Sequence, residues 1–271
     1  MKKLIFLASV LFFLFFMAGL VYAEETGRIE GTLLTKDGEM PLGGGLVYFF
    51  DAEIGAIPNP DEYWRVPDKI ADIDEDGKFT ATLDEGKYYM GAIKRSSGKR
   101  DIGPPLKGDI FFISSDEKGS PKVYDVKQGE EIILGTISEA APYKGWTVNN
   151  TITSIQGRVL VDGKPLEGAL VLGYITPTMI GRPDFVSERS DKDGKYILRV
   201  PGGSSYYLMA RDVYGGGPPV EGSIMGVYGA KKMPIAVTVK TGESTKEIDI
   251  NAIMFPGRGS REEGMKRFII E

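Results

Sequence analysis

The sequence predicts an all-β protein: two tandem seven-stranded antiparallel Greek-key β-sandwiches after a signal peptide. Three observations predict this class, namely short strands of alternating polarity, glycine-rich turns between them, and an internal repeat. In "KFTATL" (78–83), every second residue from Phe79 to Leu83 is apolar, which is the period of a half-buried strand. No window before the C-terminal tail carries a helical stripe, and about 100 residues per repeat suit seven strands in two sheets.

The repeat sets the expected domain organisation. "RIEGTLLTKDGEMPLGGGLVYFFD", which begins at Arg28, and "SIQGRVLVDGKPLEGALVLGYI", which begins at Ser154, share a strand, an Asp-Gly turn, Pro-Leu and a second strand. The offset between matched residues drifts slowly, from 126 at Gly31/Gly157 to 113 at Gly129/Gly242. We therefore expect a signal peptide at 1–23, repeat one at 26–138, a linker at 139–151, repeat two at 152–251 and a tail at 252–271.

The matched landmarks resemble those of the carboxypeptidase regulatory-like, or transthyretin-like (prealbumin-like), domain. In repeat two they are Gly157, Val159, Gly163, Pro165, Leu166, Asp193, Gly194, Tyr196 and Tyr207; in repeat one they are Gly31, Gly38, Pro41, Leu42, Asp76, Gly77, Phe79, Gly86 and Tyr88. The resemblance covers nearly all of the chain after the signal, and it implies a non-catalytic module of exported proteins. Because the carboxypeptidase domain itself is absent, no peptidase activity is implied.

The N-terminus predicts export. Lys2 and Lys3 precede a long apolar run, and Val21-Tyr22-Ala23 supplies small residues at a cleavage site, as in secretory signal peptides. An uncleaved N-terminal anchor is the alternative, since the apolar run approaches the length that spans a bilayer. The expected address is periplasmic, cell-surface or extracellular, and we expect no transmembrane segment after cleavage.

Composition excludes several classes of function. The chain has no Cys and no His, which rules out thiolate nucleophiles, Ser-His-Asp triads, thiolate or imidazole metal sites and haem attachment. Without Lys2 and Lys3, 31 basic residues face 38 acidic ones, a net charge of −7, so nucleic acid is not an expected partner. Acidic residues are plentiful, but no pair is marked out for catalysis, and we expect no enzyme.

An insertion in repeat one is the first candidate site. "AEIGAIPNPDEYWRVPDK" (52–69) holds three prolines beside Tyr63 and Trp64. A restrained loop that exposes Trp next to Tyr would provide a stacking platform for a sugar or a protein partner. The alternative is a loop that folds back with Trp64 buried. Trp146, in the linker, is expected to lie between the two domains.

A loop that occurs in both repeats is the second candidate. "RDIGPPLKGDI" (100–110) and "RDVYGGGPPVEGSI" (211–224) share Arg-Asp and Gly-Pro-Pro. The two prolines cannot occupy the middle of a sheet, because they lack the amide donors that a strand needs. One interpretation is a structural crossing between strands, and the other is a binding loop with a local cationic patch in repeat one. The binding hypothesis involves Lys94, Arg95, Lys99, Arg100, Pro104, Pro105, Arg211, Pro218 and Pro219.

Asp72, Asp74 and Asp76 in "DIDEDGKF" (72–79) resemble the opening of a calcium loop. The twelfth position is Leu83 instead of Glu, and no helix pattern flanks the motif, so a D-x-D-G hairpin turn is the competing interpretation. We expect no cofactor, with Ca²⁺ as the alternative.

Two hypotheses about function follow. The first is an exported, non-catalytic tandem β-sandwich that acts as a protein-interaction or scaffold module in the cell envelope. The second is a pair of carbohydrate-binding modules that uses Tyr63 and Trp64. The partner is accordingly an envelope protein or a glycan.

Overall fold

The computed structural model describes residues 26–100, 102–147, 152–214, 219–230 and 233–256. These residues form strands and turns with no helix, which confirms the all-β prediction. The predicted signal peptide (1–23) and the tail beyond Pro256 lie outside the described residues. No helix in the described part of the chain is long and apolar enough to cross a bilayer.

Repeat one forms a curled sheet of eight strands. They are β1 (Thr26–Thr35), β2 (Leu46–Asp51), β3 (Lys69–Asp72), β4 (Lys78–Asp84), β5 (Gly86–Lys94), β6 (Ile110–Ile113), β7 (Val123–Val126) and β8 (Glu131–Pro142). We call β4, β1 and β8 the outer sheet, and β3, β2, β5, β6 and β7 the inner sheet. Strand β8 joins the two, because its first part pairs with β1 and its last residues pair with β6.

Repeat two has the same plan with shorter strands. They are β9 (Ser154–Val161), β10 (Lys164–Pro165), β11 (Leu170–Tyr174), β12 (Phe185–Val186), β13 (Lys195–Arg199), β14 (Ser205–Arg211), β15 (Ile224–Val227), β16 (Gly229–Ala230), β17 (Met233–Pro234), β18 (Val237–Thr238), β19 (Ser244–Thr245) and β20 (Ile250–Met254). Its outer sheet contains β13, β9, β10, β19 and β20, and its inner sheet contains β12, β11, β14, β15 and β18. A small hairpin of β16 and β17 stands apart.

The strand pairing differs in one respect from an antiparallel sandwich. In repeat one, β1 and β8 run parallel, and in repeat two β9 runs parallel to both β19 and β20. The reason is topological, since the last strand of each repeat leaves the inner sheet and returns beside the first strand in the same direction. Strand β8 also extends to Pro142, beyond the predicted boundary at 138, and β20 extends to Met254, beyond that at 251.

Each sandwich has its own core between its two sheets. In repeat one, Ile29 and Leu83 of the outer sheet pack in one buried cluster with Val47 and Phe49 of the inner sheet. In repeat two, the equivalent cluster includes Ile155, Val171 and Leu208. Burial of apolar side chains on alternate positions of these strands drives each repeat to fold as a sandwich.

A third buried cluster joins the two repeats. From the opposite face of β2, Leu46, Tyr48 and Phe50 pack with Leu170 and Leu172 of β11 in repeat two, together with Trp64, Val66, Ile93, Phe111, Tyr174, Met179 and Val186. The two inner sheets therefore face each other, and the molecule is a stack of four sheets. Strand β2 is apolar without alternation ("LVYFF") because both of its faces are covered.

The turn after β3 shows how closely the two repeats match. Asp74 accepts hydrogen bonds from the amides of Asp76 and Lys78, at 3.0 and 2.8 Å. Asp191 accepts from Asp193 and Lys195 in the same way, at 2.9 and 2.8 Å. Gly77 and Gly194 follow at φ of 82° and 74°, a left-handed conformation in which a side chain would be strained. The D-x-D-G motif is therefore a capped turn in both repeats.

Candidate functional site

The insertion of repeat one (residues 52–69) runs along the boundary between the two sandwiches. Arg65 forms an isolated β-bridge with Phe185 of repeat two, and the Val66 amide donates to the Asp184 carbonyl at 2.9 Å. In return, the Arg182 guanidinium donates to the Val66 carbonyl at 2.6 Å. The backbone of the insertion is thus bound to repeat two by hydrogen bonds as well as by apolar packing.

Trp64 lies inside the inter-repeat cluster and is only 2% exposed. Its ring makes edge-to-face contacts with Tyr48, Phe50 and Phe111, at centroid distances of 5.8, 6.2 and 6.0 Å. Among the described residues, no acceptor pairs with its indole N–H. The expectation of a solvent-facing stacking platform at Trp64 is therefore corrected, because the ring is buried within the inter-repeat cluster.

Tyr63, next to Trp64, reaches into repeat two and is only partly exposed. Its ring packs edge-to-face on Phe185 at 5.9 Å and borders the core cluster of that repeat. Its hydroxyl donates to the Ile57 carbonyl at 2.6 Å. Burial is the main reason why the pKa of Tyr63 lies above its usual value.

A group of charged side chains closes one end of the boundary. Arg65 is 4% exposed and donates to Asp68 at 2.8 Å, and Arg182 from repeat two pairs with the other oxygen of the same carboxylate. Burial lowers the pKa of Arg65, and the charge of Asp68 opposes this shift. The arrangement fixes the relative position of the repeats through one carboxylate between two guanidinium groups.

The linker is attached to both repeats. The Tyr143 hydroxyl donates to the Pro60 carbonyl and to Asp61, both at 3.2 Å, and burial with the nearby Asp61 raises the pKa of Tyr143 to about 12. Arg199 of repeat two also donates to Pro60, at 2.8 Å. The Pro60 carbonyl therefore joins the insertion, the linker and repeat two at one point.

Trp146 packs on repeat two. Its indole N–H donates to Glu188 at 2.6 Å, and the guanidinium of Arg199 lies over its ring, 4.7 Å from the centroid. Arg199 is 4% exposed, and burial lowers its pKa. The hydrogen bond and the cation–π contact of Trp146 are both with repeat two, and its expected position between the two domains stays a prediction.

A groove of about 650 Å³ begins beside Trp146 and crosses the outer sheet of repeat two. Its floor is formed by outward-facing side chains of β9 and β13, among them Gln156, Arg158 and Ile197. Four basic and four acidic residues line it, which are Arg158, Arg189, Lys195 and Lys246 against Glu188, Asp191, Glu247 and Asp249. This polar groove with an aromatic wall is the candidate functional site.

In repeat one, the Gly-Pro-Pro loop is built around a buried ion pair. The Arg95 guanidinium donates to Asp109 and to the carbonyls of Gly103 and Pro104, all at 2.7 Å, while Pro105 is buried beside them. Burial raises the pKa of Asp109, but hydrogen bonds from the amides of Leu106 and Ser96 and from Arg95 outweigh it and hold the pKa below its usual value.

The four cations of the predicted patch differ in their surroundings. Arg95 is turned into its own loop, with its side chain 8% exposed, and Arg100 pairs with Asp72. Lys94 and Lys99 are exposed. Two of the four charges are therefore committed within the protein, and a binding role for the exposed lysines stays a prediction.

The second copy of the loop has a different relation to its strand. Arg211 belongs to β14, opposite Leu170, and is buried, whereas Arg100 lies beyond the end of β5. Pro219 is half-buried, and Pro218 lies outside the described residues. The two Arg-Asp pairs are thus not equivalent in space.

The part of the loop that is equivalent is the turn after the prolines. The Asp109 amide donates to the Leu106 carbonyl at 3.0 Å, and the Ser223 amide donates to Val220 at the same distance. The side chains of Asp109 and Ser223 accept from the opposite end of each turn, at 2.9 and 3.1 Å. Gly108 and Gly222, at φ of 94° and 83°, supply the left-handed position. The sequence similarity of the two loops after the prolines is therefore explained by this turn.

The predicted calcium ligands are placed by other interactions. Asp74 caps the hairpin turn, Asp72 pairs with Arg100, and Asp76 lies 4.0 Å from Lys78. Within the described ranges, no three acidic side chains are grouped so that they could hold a metal ion. The hairpin-turn interpretation accounts for the position of Asp74, and Ca²⁺ binding at this motif stays a prediction.

No local motif marks Asp68, Arg182, Glu188 or Arg199 as site residues. The contacts that Arg182, Glu188 and Arg199 make at the boundary and with the linker join residues more than 40 positions apart, and Asp68 contacts Arg182, which belongs to the other repeat. The one available signal was the unbroken apolar run of β2, which indicates a strand covered on both faces.

No family model and no curated protein matches the chain. Solved structures with similar β-rich domains include the Bacillus anthracis TIE protein (15% identity, 85% of this chain and 34% of that one, TM-score 0.26). Another is GBS52, the minor pilin of Streptococcus agalactiae (14% identity, 85% of this chain and 97% of that one, TM-score 0.22). A third is a DUF3823 family protein from Bacteroides uniformis (11% identity, 79% of this chain and 99% of that one, TM-score 0.24). The chain spans about a third of the TIE protein. Likeness at this level carries no information about the site.

Proposed function

We propose that the protein is an exported, non-catalytic tandem β-sandwich that acts as a protein-interaction or scaffold module of the cell envelope. The observation that carries this proposal is the apolar core between the repeats, which contains Trp64 and residues of both sandwiches. A scaffold must hold its binding surfaces at fixed positions, and two domains joined by a large hydrophobic interface move as one body.

The polar contacts across the boundary support the same proposal. Arg182 binds both Asp68 and the Val66 carbonyl of the other repeat, and Arg199 binds the Pro60 carbonyl. These contacts fix orientation in addition to proximity, since each guanidinium requires a particular direction of approach. A flexible pair of independent modules would have no use for them.

The absence of catalysis is part of the proposal. The chain has no His and no Cys. The acidic residues that line the groove are largely used for structure: Glu188 accepts from Trp146, Asp191 caps a turn, and Asp249 accepts from the Arg158 amide at 2.8 Å. A general acid and base would need two carboxyl groups free to face a substrate.

We also assign each repeat to the carboxypeptidase regulatory-like, or transthyretin-like, type. The support is that the landmark glycines have matching structural reasons in both repeats. A Cβ on Gly31 would lie 3.2 Å from the Gly135 carbonyl oxygen, and one on Gly157 would lie 2.0 Å from that of Ile248. The first strand of each repeat thus has glycine where a backbone carbonyl from the last part of the repeat approaches it closely.

The test is made in the native host with a C-terminally tagged full chain. We expect the protein in the envelope or the medium, with Glu24 as its first residue, and a defined partner recovered by crosslinking and co-purification. A chain found in the cytosol with Met1 retained, or one that is monomeric and free of partners in the native envelope, contradicts the proposal.

A matched pair of variants links the partner to the geometry. Trp64→Ala opens the inter-repeat core, whereas Trp64→Phe keeps an aromatic ring there. If fixed geometry matters, Trp64→Ala loses the partner while both sandwiches remain folded, and Trp64→Phe retains it. Equal recovery with both variants would show that the scaffold does not depend on the stacking of the repeats.

A further inference from the structure

The groove on the outer sheet of repeat two has the features of a ligand site. Its volume of about 650 Å³ lies within the range of about 300–1,000 Å³ found for small-molecule sites. It lies on the sheet that faces away from repeat one, so the stacking of the repeats leaves it open. We propose that this groove binds a neutral oligosaccharide, with Trp146 as the stacking residue.

Trp146 is held as a rigid wall. Arg199 lies over the ring at 4.7 Å and Glu188 accepts from its indole N–H at 2.6 Å, so the side chain cannot turn freely. The ring is only partly buried and borders the groove. An aromatic ring fixed before binding loses little entropy on binding, and its flat apolar face matches the C–H face of a sugar ring.

The floor of the groove supplies hydrogen-bonding groups in a regular array. Because β9 and β13 pair antiparallel, Gln156 stands opposite Ile197, and Arg158 stands opposite Lys195, all on the outer face. The amide of Gln156 donates to Ser154 and Ser244, at 2.9 and 3.1 Å, which leaves its oxygen as an acceptor. Donors and acceptors on one sheet face suit vicinal hydroxyl groups, which act as both.

The charge of the groove indicates a neutral ligand. Its four cations and four carboxylates balance in formal charge, so the lining does not favour a polyanion such as a phosphate or uronate polymer over a neutral ligand. Within the described residues, the Arg158 side chain is exposed and makes no ion pair, and it can donate to a hydroxyl or a ring oxygen. The groove is a different site from the predicted sugar platform, since Tyr63 and Trp64 lie at the boundary between the repeats and do not line it.

The experiment follows the fluorescence of Trp146. The chain has two tryptophans, and Trp64 is buried away from the groove, so the Trp64→Phe variant has Trp146 as its only indole. This variant and the wild type are titrated with cellotetraose, maltotetraose and chitotetraose as neutral probes and with tetragalacturonate as the anionic probe. We expect saturable quenching by at least one neutral probe, with tetragalacturonate binding at least ten-fold more weakly.

Variants test the residues. Trp146→Ala is expected to weaken calorimetric binding at least ten-fold, and Arg158→Ala several-fold. Lys192→Ala, an exposed lysine of the neighbouring turn outside the groove, is the matched control and should bind like the wild type. If Trp146→Ala does not fold, Arg158→Ala and Gln156→Ala decide, since neither position lies in the core.

Several results would overturn the proposal. These are no saturable change with any neutral probe, tighter binding of tetragalacturonate than of the neutral probes, or unchanged affinity in the folded groove variants. The proposal does not rest on the scaffold role, because it concerns the outer sheet of repeat two, whereas the scaffold test concerns the inner sheets.

Discussion

Replacement of Trp64 by alanine tests the inter-repeat core most directly. A large-to-small change at a fully buried aromatic position costs about 3–5 kcal/mol. Trp64 makes three edge-to-face contacts, each worth about 0.5–1.5 kcal/mol beyond its area, which places the loss within that range. Its indole N–H has no acceptor in the described part of the chain, so the wild type already bears part of a desolvation cost of about 1–3 kcal/mol. We therefore expect a net loss near the lower end, about 3 kcal/mol.

The assay is thermal unfolding followed by far-UV circular dichroism and by the fluorescence of Trp146. For a chain of this size, about 3 kcal/mol corresponds to a fall in Tm of about 6–12 °C. Because Trp64 belongs to the buried cluster that joins the two sandwiches, Trp64→Ala should also separate the unfolding of the repeats into two transitions. Trp64→Phe keeps one aromatic ring in the cluster and removes the unpaired donor, so its loss of stability should be smaller than that of Trp64→Ala.

Ile180→Ala is the surface control, since Ile180 is 82% exposed. Surface substitutions of this kind change stability by less than about 0.5 kcal/mol. If Trp64→Ala lowers the Tm no more than Ile180→Ala does, and unfolds in one transition, the inter-repeat core does not hold the repeats together and the reasoning fails.

Three other predictions concern single groups. Asp109→Ala should cost about 3–5 kcal/mol in denaturant unfolding, because it removes the carboxylate that neutralises the buried charge of Arg95. The folded-state pKa of Asp109 lies below its unfolded value, so the stabilisation by its carboxylate is complete above about pH 4 and is lost as the pH falls through the folded pKa. Potentiometric titration and unfolding over a pH series test this. If the wild type loses no stability in acid relative to Asp109→Asn, the prediction is wrong. Gly157→Ala should destabilise the protein by more than about 3 kcal/mol, because its Cβ would lie 2.0 Å from the Ile248 carbonyl oxygen. Gly86→Ala is the control: its Cβ would have no contact under 3.5 Å, and it should change stability by less than about 1 kcal/mol. Similar Tm values for the two variants would refute the close approach at Gly157. The pKa of Tyr143 is raised to about 12, so the folded state keeps a proton that the unfolded state releases above about pH 10. The stability of the wild type should therefore fall above that pH, and that of Tyr143→Phe should fall less steeply. An absorbance titration at 295 nm in which this variant still shows every late-titrating tyrosine of the wild type would contradict the prediction.

Much of the fold was accessible from the sequence because its signals are local. The alternation in β4, with Phe79, Ala81 and Leu83 buried, predicts the strand and its inward face. The Asp-x-Asp-Gly turns follow from the side chain of the first Asp, which reaches its own backbone within four residues. These interactions are repeated in both halves, so the duplication could be read from spacing alone.

The candidate site was accessible only in part. The sequence marks Tyr63 and Trp64 as an aromatic pair in an insertion, but the pair itself contains no information about what covers it. The groove beside Trp146 depends on β9 (Ser154–Val161) and β13 (Lys195–Arg199), which are distant in sequence, and on Trp146 of the linker. No spacing rule places these three segments together.

The repeated Gly-Pro-Pro loop shows the same division. The turns at Leu106–Asp109 and Val220–Ser223 could be predicted from Gly and the capping residue that follows it. The role of Arg95 could not, because a cation in a basic stretch can face either solvent or its own loop. Only the position of Asp109, buried 14 residues later, turns Arg95 inward.

The sequence by itself determined that this protein is a duplicated all-β chain, with its strands and turns in their places. Those features depend on residues that are near one another along the chain, through side-chain alternation, glycine conformation and short-range hydrogen bonds. The tertiary structure decided that the inner sheets face each other, that Trp64 is enclosed between them, and that Trp146 borders an open groove. The physical reason is that burial and pairing across the two repeats depend on contacts between residues that are distant in sequence. The alternation of apolar side chains and the turn motifs along the chain do not specify those contacts.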